Sequence, residues 1–121
     1  MTPAARVQAS IEILDEILGK APVEKALTGW ARRSRFAGSK DRAAVRDHVF
    51  DALRRKRSFA ALGGACTGRG LMIGAVRAQG GDVSSVFTGD RHAPPPVSAT
   101  ETARAFESNA ERLDILSLIH I

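Results

Sequence analysis

Apolar residues return every three or four positions in four separate stretches of this chain, and glycine or proline stands near the edges of each. That rhythm lets each stretch bury one face as an α-helix. The breakers keep every helix short, so the chain is limited to short helices packed on one another. In "TPAARVQASIEILDEILG" the apolar row is Val7, Ile11, Leu14 and Leu18. Thr2 is placed to cap it, Pro3 suits the first helical position and Gly19 suits the exit. "APVEKALTGWARRSR" opens near Pro22 and puts Val23, Leu27 and Trp30 on one side. The third stretch, "SKDRAAVRDHVFDALRRKRSF" at residues 39–59, has Ser39 as its cap and Asp41 in its first turn, where a negative charge is favoured. Its row is Val45, Val49 and Leu53 with Phe50 alongside, and Arg54, Arg55, Lys56 and Arg57 close it ahead of the glycines of "LGGACTG". The fourth, "TGRGLMIGAVRAQGG", is capped by Thr67 and has a face of Leu71, Ala75 and Ala78. Gly70 and Gly74, four apart, leave room for a neighbouring helix to approach closely.

Beyond these four the pattern weakens. "DVSSVF" supports at most a short helix, and the three prolines of "TGDRHAPPPVS" make a linker. Ser98 or Thr100 is placed to cap a last helix. "ILSLIHI" then runs apolar to the end without a cap, which reads as a doubtful or truncated tail. The expected organisation is a helical core at 1–90, a linker at 91–97, a last helix at 98–114 and a tail at 115–121. An aliphatic, alanine-rich balance with six aromatics and no Tyr favours an all-α bundle over a sandwich. At 121 residues one domain is expected. A single cysteine, Cys66, excludes an internal disulfide framework, and no stretch reaches the roughly 18 apolar residues of a membrane span. The expectation is a soluble cytoplasmic protein.

Charge is where the sequence speaks about function. The net +5 is not spread evenly. Residues 32–57 hold ten basic and three acidic groups, while the segments on either side each come to −1. The ten are Arg32, Arg33, Arg35, Lys40, Arg42, Arg46, Arg54, Arg55, Lys56 and Arg57. A concentrated positive patch attracts phosphate, and the planar guanidinium fork can donate two parallel hydrogen bonds to it. The plain alternative is a solvated face, trimmed by local pairs such as Asp51 with Arg54 or Arg55 worth about 0.3–0.5 kcal/mol each. With three acids against ten bases, polyanion binding is the stronger reading. A membrane surface is the weaker one, since the bulky apolar residues that would face lipid are needed for the core.

Other motifs carry less. "GGACTGRG" has the glycine spacing of a phosphate loop at Gly63 and Gly68, but Arg69 and Gly70 stand where lysine and a hydroxyl are required. Cys66 has no His or acid nearby in sequence to activate it. His48, His92 and His120 are scattered without metal-ligand spacing, so no metal is expected. Trp30, with apolar neighbours at helical spacing, reads as core ahead of a base-stacking platform. Nothing assembles an acid, a base and a nucleophile, and the chain as it stands is expected to have no catalytic residues and no cofactor.

The third stretch resembles the pattern DR-x-x-x-R-[DE]-x-[VC]-[YF]-x-x-[LV]-R, matched position for position by Asp41, Arg42, Arg46, Asp47, Val49, Phe50, Leu53 and Arg54. That pattern belongs to the NusB-like RNA-binding domain at the front of Sun/RsmB-type ribosomal RNA cytosine-5 methyltransferases. The first two helices, with Arg6 near the start, "TGRGLMIGAVRAQG" and "VFTGDRHAPPP" resemble the same domain, over about residues 3–114. The resemblance implies a NusB-like antiparallel bundle that binds ribosomal RNA. It also implies a separate catalytic domain, not represented in this sequence, that uses S-adenosylmethionine and is a possible partner. On this reading Arg32, Arg33, Arg35, Arg42 and Arg46 contact phosphates at the junction of helices two and three. Arg54, Arg55, Lys56 and Arg57 form a second strip, and Lys40 belongs to the same basic surface. Arg42 has a second reading, as a structural brace held by Asp41. Two rival functions are a stand-alone NusB-type antitermination factor, which would bind RNA with a protein partner, and a helical adaptor whose arginines are only solvated.

Overall fold

The computed structural model of the chain describes residues 1–98 and residue 101. Among these it forms six α-helices and no strand: α1 (Pro3–Leu18), α2 (Val23–Arg33), α3 (Ser39–Arg54), α4 (Lys56–Gly63), α5 (Gly68–Ala78) and α6 (Val83–Val86). The protein is all-α, as its periodicity requires. Apart from Ser98 and Glu101, the expected last helix and the tail lie outside the described residues. No single helix among the described residues is long and apolar enough to cross a membrane.

α1 and α5 form the centre. α1 packs against α2, α3 and α5, and α5 packs in turn on α4. Ile13, Leu14, Val45, Val49 and Leu71 are fully buried where these helices meet. Leu18 and Leu53, the outermost members of their expected rows, are only partly buried, and Ala52 joins the α3 face instead. α5 differs most from its expected single face. Gly70, Leu71, Met72, Ile73, Gly74 and Ala75 are all buried, whereas Ala78 is exposed. A helix covered on most sides belongs to the interior, and periodicity alone does not mark it as such.

The caps follow local chemistry. Thr2 Oγ1 accepts from the Ala5 amide at 3.1 Å, and Thr67 Oγ1 accepts from the Gly70 amide at 3.0 Å. At the start of α3 the cap is Gly38, not Ser39, and Asp41 Oδ2 accepts from the Gly38 amide at 3.2 Å. α1 and α5 both end in a Schellman turn. After α5 the left-handed residue is Gly80, with φ 73°. After α1 it is Lys20, with φ 85°, because Gly19 sits one place too early. The Lys20 amide donates to the Ile17 carbonyl and the Ala21 amide to the Glu16 carbonyl, each at 3.0 Å.

The expectation of one helix running through Arg57 is corrected. The chain turns at Arg55, and α4 begins at Lys56. The physical reason is packing. α3 buries Val45, Val49 and Ala52, largely against α1, while α4 buries Phe59 and Gly63 against α5. Those two surfaces demand different axes. The break falls within 54–57, where every side chain is charged and exposed and nothing buried holds the axis straight. α4 and α5 then cross at 90°. Their backbones touch through Gly63, Gly70 and Gly74, where added Cβ atoms would strike the carbonyls of Gly70, Ala65 and Phe59 respectively. The close approach expected of Gly70 and Gly74 is present.

The proline-rich segment has no regular structure, but it folds back on the helices. Phe87 and Pro94 are fully buried, and the Gly89 amide donates to the Pro94 carbonyl at 2.9 Å. Arg69 ties the segment down. Its Nε donates to Glu101 Oε2 at 2.6 Å, its Nη2 reaches the Pro96 carbonyl at 2.9 Å, and its guanidinium lies 5.1 Å from the Phe87 ring centre. The Arg69 hydrogen bond, the largest cause, holds the Glu101 carboxyl down at about 2.

Candidate nucleic-acid interface

All ten basic residues of the central segment are exposed, yet their surroundings divide them. α2 ends on Arg32 and Arg33, and its last carbonyls favour those cations. The chain then turns through Ser34, Arg35, Phe36 and Ala37 before α3 opens. The turn is pinned at both ends. Ser34 and Ala37 are buried, the Ser34 amide donates to the Trp30 carbonyl at 2.9 Å, and the Ala37 amide to the Ser34 carbonyl at 3.0 Å. This geometry brings Arg32, Arg35 and Arg42 onto one open groove of about 580 Å³, floored by Thr28, Ala31 and Ala37. Arg42 also lines the adjoining shallow recess with Arg46, above Leu27 and Trp30. Among the described residues no carboxylate pairs with Arg32, Arg35 or Arg42.

Other members of the set are engaged. Arg33 Nη2 donates to Glu16 on α1 at 3.3 Å. Arg46 binds Glu24 of α2 with both Nη groups, at 2.8 and 3.3 Å, and lies 4.9 Å from the Phe50 ring centre. The Arg46 hydrogen bond keeps the Glu24 carboxyl below its usual range. Exposed pairs of this kind are weak, so both arginines can exchange their carboxylate for another anion at small cost.

Asp41 is occupied from the other side. Its Oδ1 accepts from Arg6 Nε at 3.0 Å and Nη2 at 2.8 Å, and its Oδ2 lies 3.5 Å from the terminal amino group. The Arg6 hydrogen bond is the leading reason that its carboxyl sits below the ordinary range. The brace on Asp41 is therefore Arg6, and Arg42 stands clear of it at the groove.

The second strip lies at the α3–α4 junction. Arg54 and Arg55 share Asp51 at 3.8 and 3.7 Å, and Lys56 and Arg57 open α4. Twelve residues separate Arg42 from Arg54, which puts the two along-helix positions about 18 Å apart. Lys40, in the first turn of α3, has no ion pair among the described residues.

Of the remaining sequence candidates, Trp30 is core at 5% exposure and Cys66 is an exposed free thiol. His48 is half-buried, and burial followed by the nearby Arg6 charge lowers its pKa. Among the described residues no group of three or more His, Cys, Asp or Glu is placed to hold a metal ion. One residue escaped sequence reasoning altogether: Phe36, 72% exposed at the tip of the α2–α3 turn. Its only linear signal is an aromatic between Arg35 and the helix breaker Gly38.

Comparison with known protein families, with curated proteins and with solved structures finds no match to this chain. What the molecule itself defines is a class: an all-α protein carrying an exposed groove lined by arginines.

Proposed function

We propose that this chain is an RNA-binding helical domain of the NusB-like kind, acting at the front of a ribosomal RNA cytosine-5 methyltransferase. The observation that carries the binding reading is the convergence of Arg32, Arg35 and Arg42 on one groove, with no carboxylate paired to them among the described residues. Three exposed guanidinium groups on a concave surface suit a phosphate backbone, which carries regularly spaced charge and accepts bidentate hydrogen bonds. Arg33 and Arg46 flank the groove and add contacts when an anion displaces their carboxylates. Phosphate contacts place an RNA without reading its bases, so recognition of this kind depends on RNA shape. The assignment to ribosomal RNA and to a methyltransferase rests on the sequence resemblance through Asp41, Arg42, Arg46 and Arg54. On this reading S-adenosylmethionine chemistry belongs to a catalytic domain outside these residues, and no side chain here is assigned to it.

The test is the salt dependence of RNA affinity. Replacing Arg32, Arg35 and Arg42 together by Gln should weaken binding to a structured ribosomal RNA fragment. It should also flatten the log–log salt slope by roughly 0.7–0.9 for each phosphate that is no longer neutralised. Unchanged affinity and unchanged slope would leave the arginines merely solvated and remove the basis of the proposal.

A further inference from the structure

The geometry points to Phe36 as a stacking platform for an unpaired RNA base, held beside the phosphate groove. This rests on the RNA-binding reading above and adds what kind of RNA the site takes.

Phe36 and Met1 are the large apolar side chains exposed among the described residues, and Phe36 is by far the more open, at 72%. Its presentation is fixed by the fold. The buried Ser34 and Ala37 anchor the turn on either side, and the Gly38 amide is held by Asp41, itself clamped by Arg6. The ring therefore projects from a pinned turn.

Two hollows meet at that turn, with Ser34 lining both. One is the groove of Arg32, Arg35 and Arg42. The other, of about 570 Å³, is bordered by Phe36 itself, with Ala5, Ala9 and Trp30 among its apolar lining and Arg91 and His92 on its polar side. Glu12 is its one carboxylate. An aromatic face between guanidinium groups on both sides is what a nucleotide requires: a flat surface for the base and cations for the phosphates that flank it. A protein partner anchored on Phe36 would be better served by a wide apolar patch, whereas among the described residues the large exposed apolar side chains are Phe36 and Met1 alone, and their hollow is shared with Arg91, His92 and Glu12. A paired base inside a duplex is already stacked on its neighbours, so Phe36 can meet only a base in a loop, bulge or single strand. Trp30 does not compete for the role, since its ring is buried under α2.

The experiment uses the whole chain and three probes: an RNA hairpin with 2-aminopurine in its loop, a short oligouridylate and a blunt RNA duplex. Phe36→Ala should weaken hairpin and oligouridylate binding by roughly 5- to 150-fold, the range that removal of one base stack produces. It should leave duplex affinity and the salt slope as in the wild type. The wild type should quench 2-aminopurine on binding, and Phe36→Ala should not. Phe36→Trp should restore both readouts. Phe36→Leu, which keeps apolar bulk without a π face, should behave like Phe36→Ala while melting as the wild type does. If Phe36→Ala keeps full affinity while the Arg32, Arg35 and Arg42 triple loses it, stacking is wrong and RNA binding stands, with Phe36 left to a protein surface. If Phe36→Leu binds as well as Phe36→Trp, bulk alone matters and the stacking proposal is overturned. If the wild type binds none of the three probes, both proposals fall together.

Discussion

Glycine to alanine at two helical positions should move stability in opposite directions, and the sign is set by what surrounds each Cβ. Gly29 lies inside α2 and Gly74 inside α5. Helix propensity alone favours alanine at both by about 1 kcal/mol. At Gly29 a new Cβ meets only Arg33 Nη1, at 3.2 Å, the far end of a flexible exposed side chain that can swing aside. Gly29→Ala should therefore realise most of the propensity gain. At Gly74 the Cβ would lie 2.6 Å from the Phe59 carbonyl carbon and 2.7 Å from its Cα, against ordinary carbon contacts of about 3.5–4.0 Å. The obstacle is backbone, and α4 is held there by the buried Phe59 and Gly63, so relief requires the two helices to part by about 1 Å. Overpacking that cannot relax costs about 1–3 kcal/mol or more, and it outweighs the propensity term. For 121 residues, 1 kcal/mol corresponds to about 4 °C in Tm. With the propensity gain of about 1 kcal/mol set against a backbone clash in the upper part of that range, about 2–3 kcal/mol, Gly74→Ala should lower Tm by roughly 4–8 °C and Gly29→Ala should raise it by about 2–4 °C, both read by circular dichroism melts. A Gly74→Ala protein as stable as the wild type would refute the close backbone contact between α4 and α5. Equal losses at both sites would refute the claim that the neighbours decide the sign.

The other predictions follow from local geometry. Lys20→Gly should stabilise the chain by about 0.5–1 kcal/mol, because Lys20 occupies the left-handed position of the α1 Schellman turn that glycine takes after α5; a denaturant midpoint that does not rise would count against it. Glu101, with its carboxyl held at about 2 by Arg69, should contribute stability above its unfolded pKa of about 4.5 and lose it as pH falls toward 2. Arg69→Met should return Glu101 to ordinary titration by carboxyl NMR shifts and remove that part of the acid dependence, and an unshifted Glu101 in the wild type would end the explanation.

What was legible in the sequence was local. Thr2 and Thr67 cap their helices through bonds to residues three places on, and Val45 and Val49 share a face because a helix repeats at that spacing. What was not legible depends on partners far away in the chain. Asp41 is claimed by Arg6 from 35 residues upstream, and Arg46 by Glu24 from 22 residues upstream. The turn at Arg55 has no breaker in it. It arises because α4 must meet α5, a demand invisible in "LRRKRSF". Phe36, Phe59 and Phe87 look alike in one dimension, yet the first is in solvent and the other two are core.

The same distinction reshapes the basic segment. Counted along the chain, its ten cations form one patch with a strong overall sign. Placed in three dimensions, they form a groove with three arginines that no carboxylate pairs with among the described residues, flanking arginines held by Glu16 and Glu24, and a separate strip at the far end of α3. The groove and the strip are about 18 Å apart along the helix, roughly twice the screening length of about 8 Å at physiological salt. Charges that far apart in solvent barely feel one another, so the strip cannot substitute for the groove by lending it potential. Nor can neutralising the groove weaken the strip. An RNA engaging both must reach physically from one to the other. Each patch then adds its own counterion release to the salt dependence, and substitutions at Arg32, Arg35 and Arg42 report on the groove alone.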